Sequence, residues 1–165
     1  MRVLGVDPGS IKSGYGVIEQ RGAELAVLDY GVIRTTANAP LAPRLLQISV
    51  RLQALIAQWQ PQVLALEDLF FAKNVQSALK LGHARGVILL IAAQAHLEIA
   101  EYTPLEVKQA VVGYGRAEKM QVQQMVKVLL RLKELPTPDD AADALAIAIC
   151  HHHSAKMREQ IKKAL

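Results

Sequence analysis

The spacing of apolar residues changes several times along the chain, and each change marks a predicted element. Arg2 to Val6 is a short apolar run that ends at Asp7, and the Pro8-Gly9 pair behind it is a turn signal. A second strand is predicted around 15–19, and 25–35 alternates as a third. Joined by short turns, these three predict an antiparallel meander. From 41 to 59 the period lengthens: Leu41, Leu45, Ile48, Leu52, Leu55, Ile56 and Trp59 recur at helical spacing, and Pro61 stops the pattern. Val63 to Leu66 is an unbroken apolar strand ending in Glu67, and a long helix over 75–96 follows. Another strand ends near Tyr102. Helices are then predicted over 104–111, 118–131 and 139–153, the last rich in Ala, Leu and Ile on most of its sides. Strands in a meander, then strands alternating with helices, predict an α/β fold with a mixed sheet covered by helices. The expected domain spans 1–153, and 154–165 forms a basic tail with Lys156, Arg158, Lys162 and Lys163.

Composition narrows this picture. A length of 165 residues suits one domain, and with 52% hydrophobic but only 4% aromatic residues its core must be aliphatic. The formal charge of +4 points to a polyanionic partner. Cys150 is the single cysteine, so no internal disulfide can form; a buried, inert thiol in a reducing cytoplasm is expected. The opening MRVLGVDPGS lacks the apolar stretch of a signal peptide, and the run over 87–95 is too short to span a bilayer. The expectation is a soluble cytoplasmic protein with no membrane partner.

The candidate chemistry lies in carboxylates. Asp7 and Glu67 each end a strand that is otherwise almost entirely apolar, so both project from the rim of a buried sheet. Asp140 and Asp143 lie three apart at the start of the last predicted helix, which stacks them on one face near a positive helix terminus. Asp139 is four from Asp143 and competes with Asp140 on helical geometry, although its place after Pro138 also suits an N-cap. Any one of these acids alone reads as a cap or a solvated strand end. Gathered at the edge of an apolar core they repel one another, and hard divalent ions relieve that repulsion. Oxygen-only ligands suit magnesium or manganese. The His151-His152-His153 run reads as a solvated helix end rather than a metal site.

Several segments together resemble the RuvC family of Holliday junction resolvases, within the ribonuclease H-like (retroviral integrase) superfamily. They are GVDPGS with Asp7, GYGVIE, LALEDLFFAKN with Glu67, SALKLGHARG, VKQAVVGYGRAEK, and DAADALAIAI with Asp140 and Asp143. The resemblance covers nearly the whole chain and implies a ribonuclease H-like five-stranded sheet, an antiparallel meander plus parallel strands. It implies that Asp7, Glu67, Asp140 and Asp143 hold two Mg2+ per subunit, with Mn2+ able to substitute, and leaves Asp139 as a cap or neighbour. It further implies a homodimer that nicks a four-way DNA junction symmetrically, leaving 5′-phosphate and 3′-hydroxyl ends, and that works with the branch-migration proteins RuvA and RuvB. Lys119 matches a family lysine near the scissile phosphate, and Lys108 matches a phosphate-binding position. Phe70 matches a stacking wedge beside phosphate-binding Lys73 and Asn74. Arg116 joins the candidate DNA contacts by proximity to Lys119 alone.

Two other readings compete. GVDPGSIKSGYG also resembles the phosphate loop of actin-like kinases and ATPases, but those need a second such domain, and Asp140 and Asp143 would have no role. A non-catalytic or RNA-directed nucleic-acid-binding relative of the resolvases is the other; the presence of all four acids argues against the silent form.

Overall fold

The computed structural model describes residues 1–68 and 74–164, with side chains through residue 155. Its elements run in the expected order: β1 (Arg2–Asp7), β2 (Lys12–Arg21), β3 (Glu24–Arg34), α1 (Leu41–Trp59), β4 (Val63–Glu67), α2 (Val75–Gln94), β5 (Glu98–Tyr102), α3 (Pro104–Val112), α4 (Lys119–Leu129) and α5 (Asp139–Ala164). The strands form one sheet in the order β3-β2-β1-β4-β5. The pairs β1/β2 and β2/β3 are antiparallel, while β1/β4 and β4/β5 are parallel. This is the α/β fold with a mixed sheet expected from the periodicity and from the resemblance.

Alternation along each strand divides the core in two. On one face Leu4, Val6, Leu64 and Leu66 pack with Ile48, Leu52 and Leu55 of α1 and Ala84, Ile88 and Ala92 of α2. On the other, Val3, Val63 and Ala65 pack with Val107 and Val111 of α3, Val122 and Val126 of α4, and the α5 run from Leu145 to Cys150. Cys150 is buried and unpaired, and burial pushes its thiol up to about 11, which makes it a poor nucleophile. Among the described residues, no helix is long and apolar enough to cross a membrane.

Glycines let α5 lie directly on the sheet. A Cβ at Gly5 would stand 2.2 Å from the Ala144 carbonyl oxygen, and one at Gly14 would stand 1.8 Å from that of Asp140. No other residue permits so close an approach, and Gly14 is the register partner of Asp7. The start of α5 is thereby pressed against the end of β1.

The histidine run departs from expectation. His151 and His152 are buried, because α5 does not end there but continues to Ala164 while packed against the sheet. Neighbouring elements supply the partners a solvated helix end would lack: the Tyr102 hydroxyl lies 2.9 Å from His151 Nδ1, and the Ala110 carbonyl lies 2.9 Å from His153 Nδ1. Burial pushes the His152 ring down to about 4, so it is neutral near pH 7. The boundary expected after His153 accordingly falls inside a helix. At the other end of the sheet, α2 stops at Gln94 rather than 96, with His96 at a positive φ of 56° in the turn to β5.

Candidate active site

Strand parity places the first two acids. Val3, Val63 and Ala65 face α5, so Asp7 and Glu67, an even number of residues further on, face it as well. Because Val6 and Leu66 are register partners on parallel strands, Asp7 and Glu67 follow side by side at adjacent strand ends, about 5 Å apart in the hydrogen-bonding direction. Helix α5 brings Asp140 and Asp143 down onto this edge.

The electrostatics follow the same grouping. Burial first, and then the charges of Glu67, Asp143 and Asp140, together raise the Asp7 carboxyl to about 7 against the pull of Lys119. Glu67 is raised by burial and by Asp143, opposed by Lys108 and Lys119. Asp143 is raised by burial, opposed chiefly by Lys119. Asp139 has the opposite environment. It is exposed, and its carboxyl is held below the ordinary range by a hydrogen bond from Gln123 (2.9 Å) and by Lys119. Asp140 acts on Asp7 while Asp139 is not among the groups that shift it. Of the two acids that helical spacing left in competition, both act on Asp143, but Asp140 alone also acts on Asp7.

Lys119, at the first residue of α4, spans the two: its ammonium lies 3.0 Å from Asp143 Oδ2 and 3.4 Å from Asp139 Oδ2. Partial burial pulls its pKa down, but the hydrogen bond and charge of Asp143, joined by Asp139, outweigh this and leave it raised. Lys119 and Lys108 line a cleft of about 230 Å³ with Glu67 and Asp143, whose apolar wall is Pro104, Val107, Val122 and Ala146. A cleft lined by both acids and two cations suits a polyanion whose charge is bridged by metal ions.

Four crowded carboxylates, of which Asp7, Glu67 and Asp143 have raised proton affinity, match the donor chemistry of a hard divalent cation. The match is one of donors and proximity rather than finished coordination. Among the described residues no three Asp, Glu, His or Cys side chains converge in an ion-holding group, and the Lys119 ammonium lies on Asp143.

The remaining candidates are dispersed. Arg116 is exposed and does not line the cleft. Asn74 is the N-cap of α2, its Oδ1 accepting from the backbone N–H of Gln76 (2.9 Å) and Ser77 (3.3 Å). Phe70 and Lys73 lie outside the described residues.

Two buried arginines were missed. Arg44 of α1 donates to the Ser10 carbonyl oxygen in the loop after Asp7 (2.5 Å from Nη2, 3.1 Å from Nε), and Arg85 of α2 donates to the Glu67 carbonyl oxygen. The signal was present, since both fall on the apolar stripe of their helices, beside Ile48 and Ile88, where a solvated arginine does not belong.

Comparison with known proteins places the chain in a family. A family model described as crossover junction endodeoxyribonuclease RuvC matches residues 3–151. A protein of that name from Heliobacterium modesticaldum is 58% identical over 93% of this chain and 95% of its own. One from Desulfitobacterium hafniense is 53% identical over the full length of both. Among solved structures, T. thermophilus RuvC in complex with a Holliday junction substrate superimposes with a TM-score of 0.91 at 38% identity, over 95% of this chain and 96% of that one.

Proposed function

Since the chain belongs to the RuvC family of crossover junction endodeoxyribonucleases, we propose that it resolves Holliday junctions by metal-assisted hydrolysis at the cluster of Asp7, Glu67, Asp140 and Asp143. The protein is a Holliday junction resolving endonuclease of a metal-dependent family. The observation that supports this site is the burial of Asp7 among three other carboxylates, which lifts it to about 7, a charge problem that divalent cations relieve.

In this reading Asp7 and Glu67 hold two Mg2+ from the strand ends, and Asp140 and Asp143 hold them from α5. When bound, the ions supply Lewis acidity that activates the attacking water and stabilises the departing 3′ oxygen. Lys119 leaves Asp143 for the scissile phosphate and offsets the charge that accumulates there in the transition state. Lys108, which lines the same cleft, grips the phosphate backbone and fixes its register. Val107, Val122 and Ala146 keep bulk water from the base of the cleft. Phe70 opens base pairs at the junction centre, with Lys73, Asn74 and Arg116 as further backbone contacts.

The active form is a homodimer in the cytoplasm, served by RuvA and RuvB, and the basic residues of 154–165 add nonspecific DNA contact. Helix α2 carries the subunit contact. Of its small residues, Ala84 and Ala92 are buried in the core of the subunit, but Gly82, Gly86 and Ala93 are exposed alongside Leu79 and Leu90.

A synthetic four-way DNA junction incubated with Mg2+ tests the assignment, with an RNA junction and ATP as parallel substrates. Symmetric nicks in DNA alone are expected; ATP hydrolysis without cutting would refute it. Mn2+ should support cutting, whereas Ca2+ should support binding with little turnover because its longer, looser coordination misplaces the attacking and leaving oxygens. Full-rate cutting in Ca2+ would contradict the two-ion geometry. Asp140→Asn should lower the cutting rate far more than Asp139→Asn, since only Asp140 acts on Asp7. Equal rates for the two variants would overturn that choice of ligand.

A further inference from the structure

Arg85 sits on the side of the sheet opposite the acid cleft, yet its guanidinium ends against the strand that carries Glu67. The register of β4 with β1 extends only to Leu66, so Glu67 keeps a strand neighbour on one side alone, pairing with Tyr102 of β5, whose carbonyl oxygen also accepts from the Asp68 N–H (2.7 Å). Arg85 takes over at this point: Nη1 donates to the Glu67 carbonyl oxygen (2.5 Å), while Nη2 hydrogen-bonds and ion-pairs with the Glu101 carboxylate and lies 3.7 Å from Asp68 Oδ1. The Arg85 side chain is only 10% exposed, whereas those of Glu101 and Asp68 are 44% and 45% exposed.

A buried guanidinium is destabilising by several kcal/mol unless it is fully paired. Its planar fork holds two acceptors at fixed separation, which a flexible ammonium does not. Here those acceptors are the main chain of Glu67 and a carboxylate one strand away.

We propose that Arg85 is a positioning residue for Glu67, clamping the end of β4 to β5 and α2 so that the Glu67 carboxylate is held toward Asp7 and Asp143. The clamp rests on the reading of Glu67 as a metal ligand. It acts through the backbone, which sets the direction of the side chain without occupying its oxygens, and it ties the ligand to the helix that carries the proposed subunit contact. Groups that orient metal ligands in this way typically change metal affinity or activity by about 10–100-fold when removed.

The test measures Mn2+ binding to the full chain from the EPR signal of the free ion, together with the metal dependence of junction cutting. Arg85→Met should raise the Mn2+ dissociation constant by about 10–100-fold. Cutting should be recovered in part by excess Mn2+, and metal-free junction binding should be unchanged. Arg85→Lys, which keeps the charge but not the fork, should fall between. Should Arg85→Met fail to fold, Glu101→Ala, which removes only the exposed brace, decides the question by a rise of a few-fold in the same constant. Thermal destabilisation with wild-type Mn2+ affinity in the folded variants would reduce Arg85 to a structural tie and overturn the proposal. The wild-type chain and Glu67→Gln separate this failure from a deeper one. If wild type binds Mn2+ and Glu67→Gln does not, only the clamp is refuted; if Glu67→Gln binds as wild type does, the ligand assignment falls and the clamp with it.

Discussion

Asp7→Asn should reduce junction cutting to the uncatalysed background while making the metal-free protein more stable at pH 8. The first effect follows from losing a ligand that sits between Glu67 and the two α5 acids, with no loss of a phosphate-binding cation, so junction binding should survive. The second follows from proton linkage. Unfolded, Asp7 titrates near its ordinary value of 3.8; folded, burial and the neighbouring carboxylates raise it to about 7. Between those values the folded state keeps a proton that the unfolded state has released, so metal-free stability falls as pH rises through this window, and the loss is complete above about 7. Its size is on the order of 4 kcal/mol before any allowance for relaxation and partial solvation. Asn cannot ionise and escapes the penalty. His152 works in the other direction: neutral in the fold, it lowers stability as pH falls below 6.5 toward 4, so the variant must be compared with wild type at each pH rather than across pH. Chemical denaturation in EDTA from pH 5 to pH 8 measures the difference, which should widen up to about pH 7 and then level. A variant less stable than wild type at pH 8 would mean that Asp7 is not held under electrostatic stress. Parallel loss of junction binding would give it a role in DNA contact instead. Adding Mg2+ should stabilise wild type most at high pH, where protons no longer compete for the carboxylates.

Much of this site was legible before any coordinates. Short unbroken apolar runs put Asp7 and Glu67 at the ends of buried strands, and the parallel pairing of β1 with β4 then made them neighbours. Helical spacing could not choose between Asp139 and Asp140, because both share a face with Asp143. The choice depends on how α5 is rotated over the sheet, which is set by the contact of its first turn with Gly14 of β2, a strand more than a hundred residues away. The buried arginines went unread for a related reason. A lone arginine on an apolar stripe is a conflict that a sequence displays but does not resolve, since its partners, the Ser10 and Glu67 carbonyls and Glu101, come from other elements. The histidine run misled because three consecutive polar residues near the end of an apolar pattern normally face water. Tyr102 and the Ala110 carbonyl give His151 and His153 their partners here, and neither is adjacent in the chain.

Gly86→Arg should convert a two-fold dimer into a monomer and replace paired cutting with isolated nicks. Gly82 and Gly86 lie in mid-helix on the outer surface of α2, where a Cβ would meet nothing within 4 Å in the single subunit. An exposed mid-helix glycine is about 1 kcal/mol less favourable than alanine, so neither position is explained by the packing of one chain. Both lie in an apolar groove with Leu45, Leu79, Val87 and Leu90, and Leu79 and Leu90 are 59% and 58% exposed. A row of missing side chains bordered by leucines lets a second helix approach closely, and a two-fold axis would set α2 against its own copy. Gly86→Arg puts a long cation into that contact without disturbing the subunit core. The variant should therefore keep its fold and its carboxylate cluster but sediment as a monomer where wild type is a dimer at micromolar concentration. On a supercoiled plasmid with an extruded cruciform, wild type should release linear product by two cuts within one binding event, while the variant should accumulate nicked circles. Paired cutting by a dimeric Gly86→Arg would move the interface off α2. A monomeric wild type that linearises the plasmid would remove the need for a dimer altogether, since one carboxylate cluster would then serve both strands in turn.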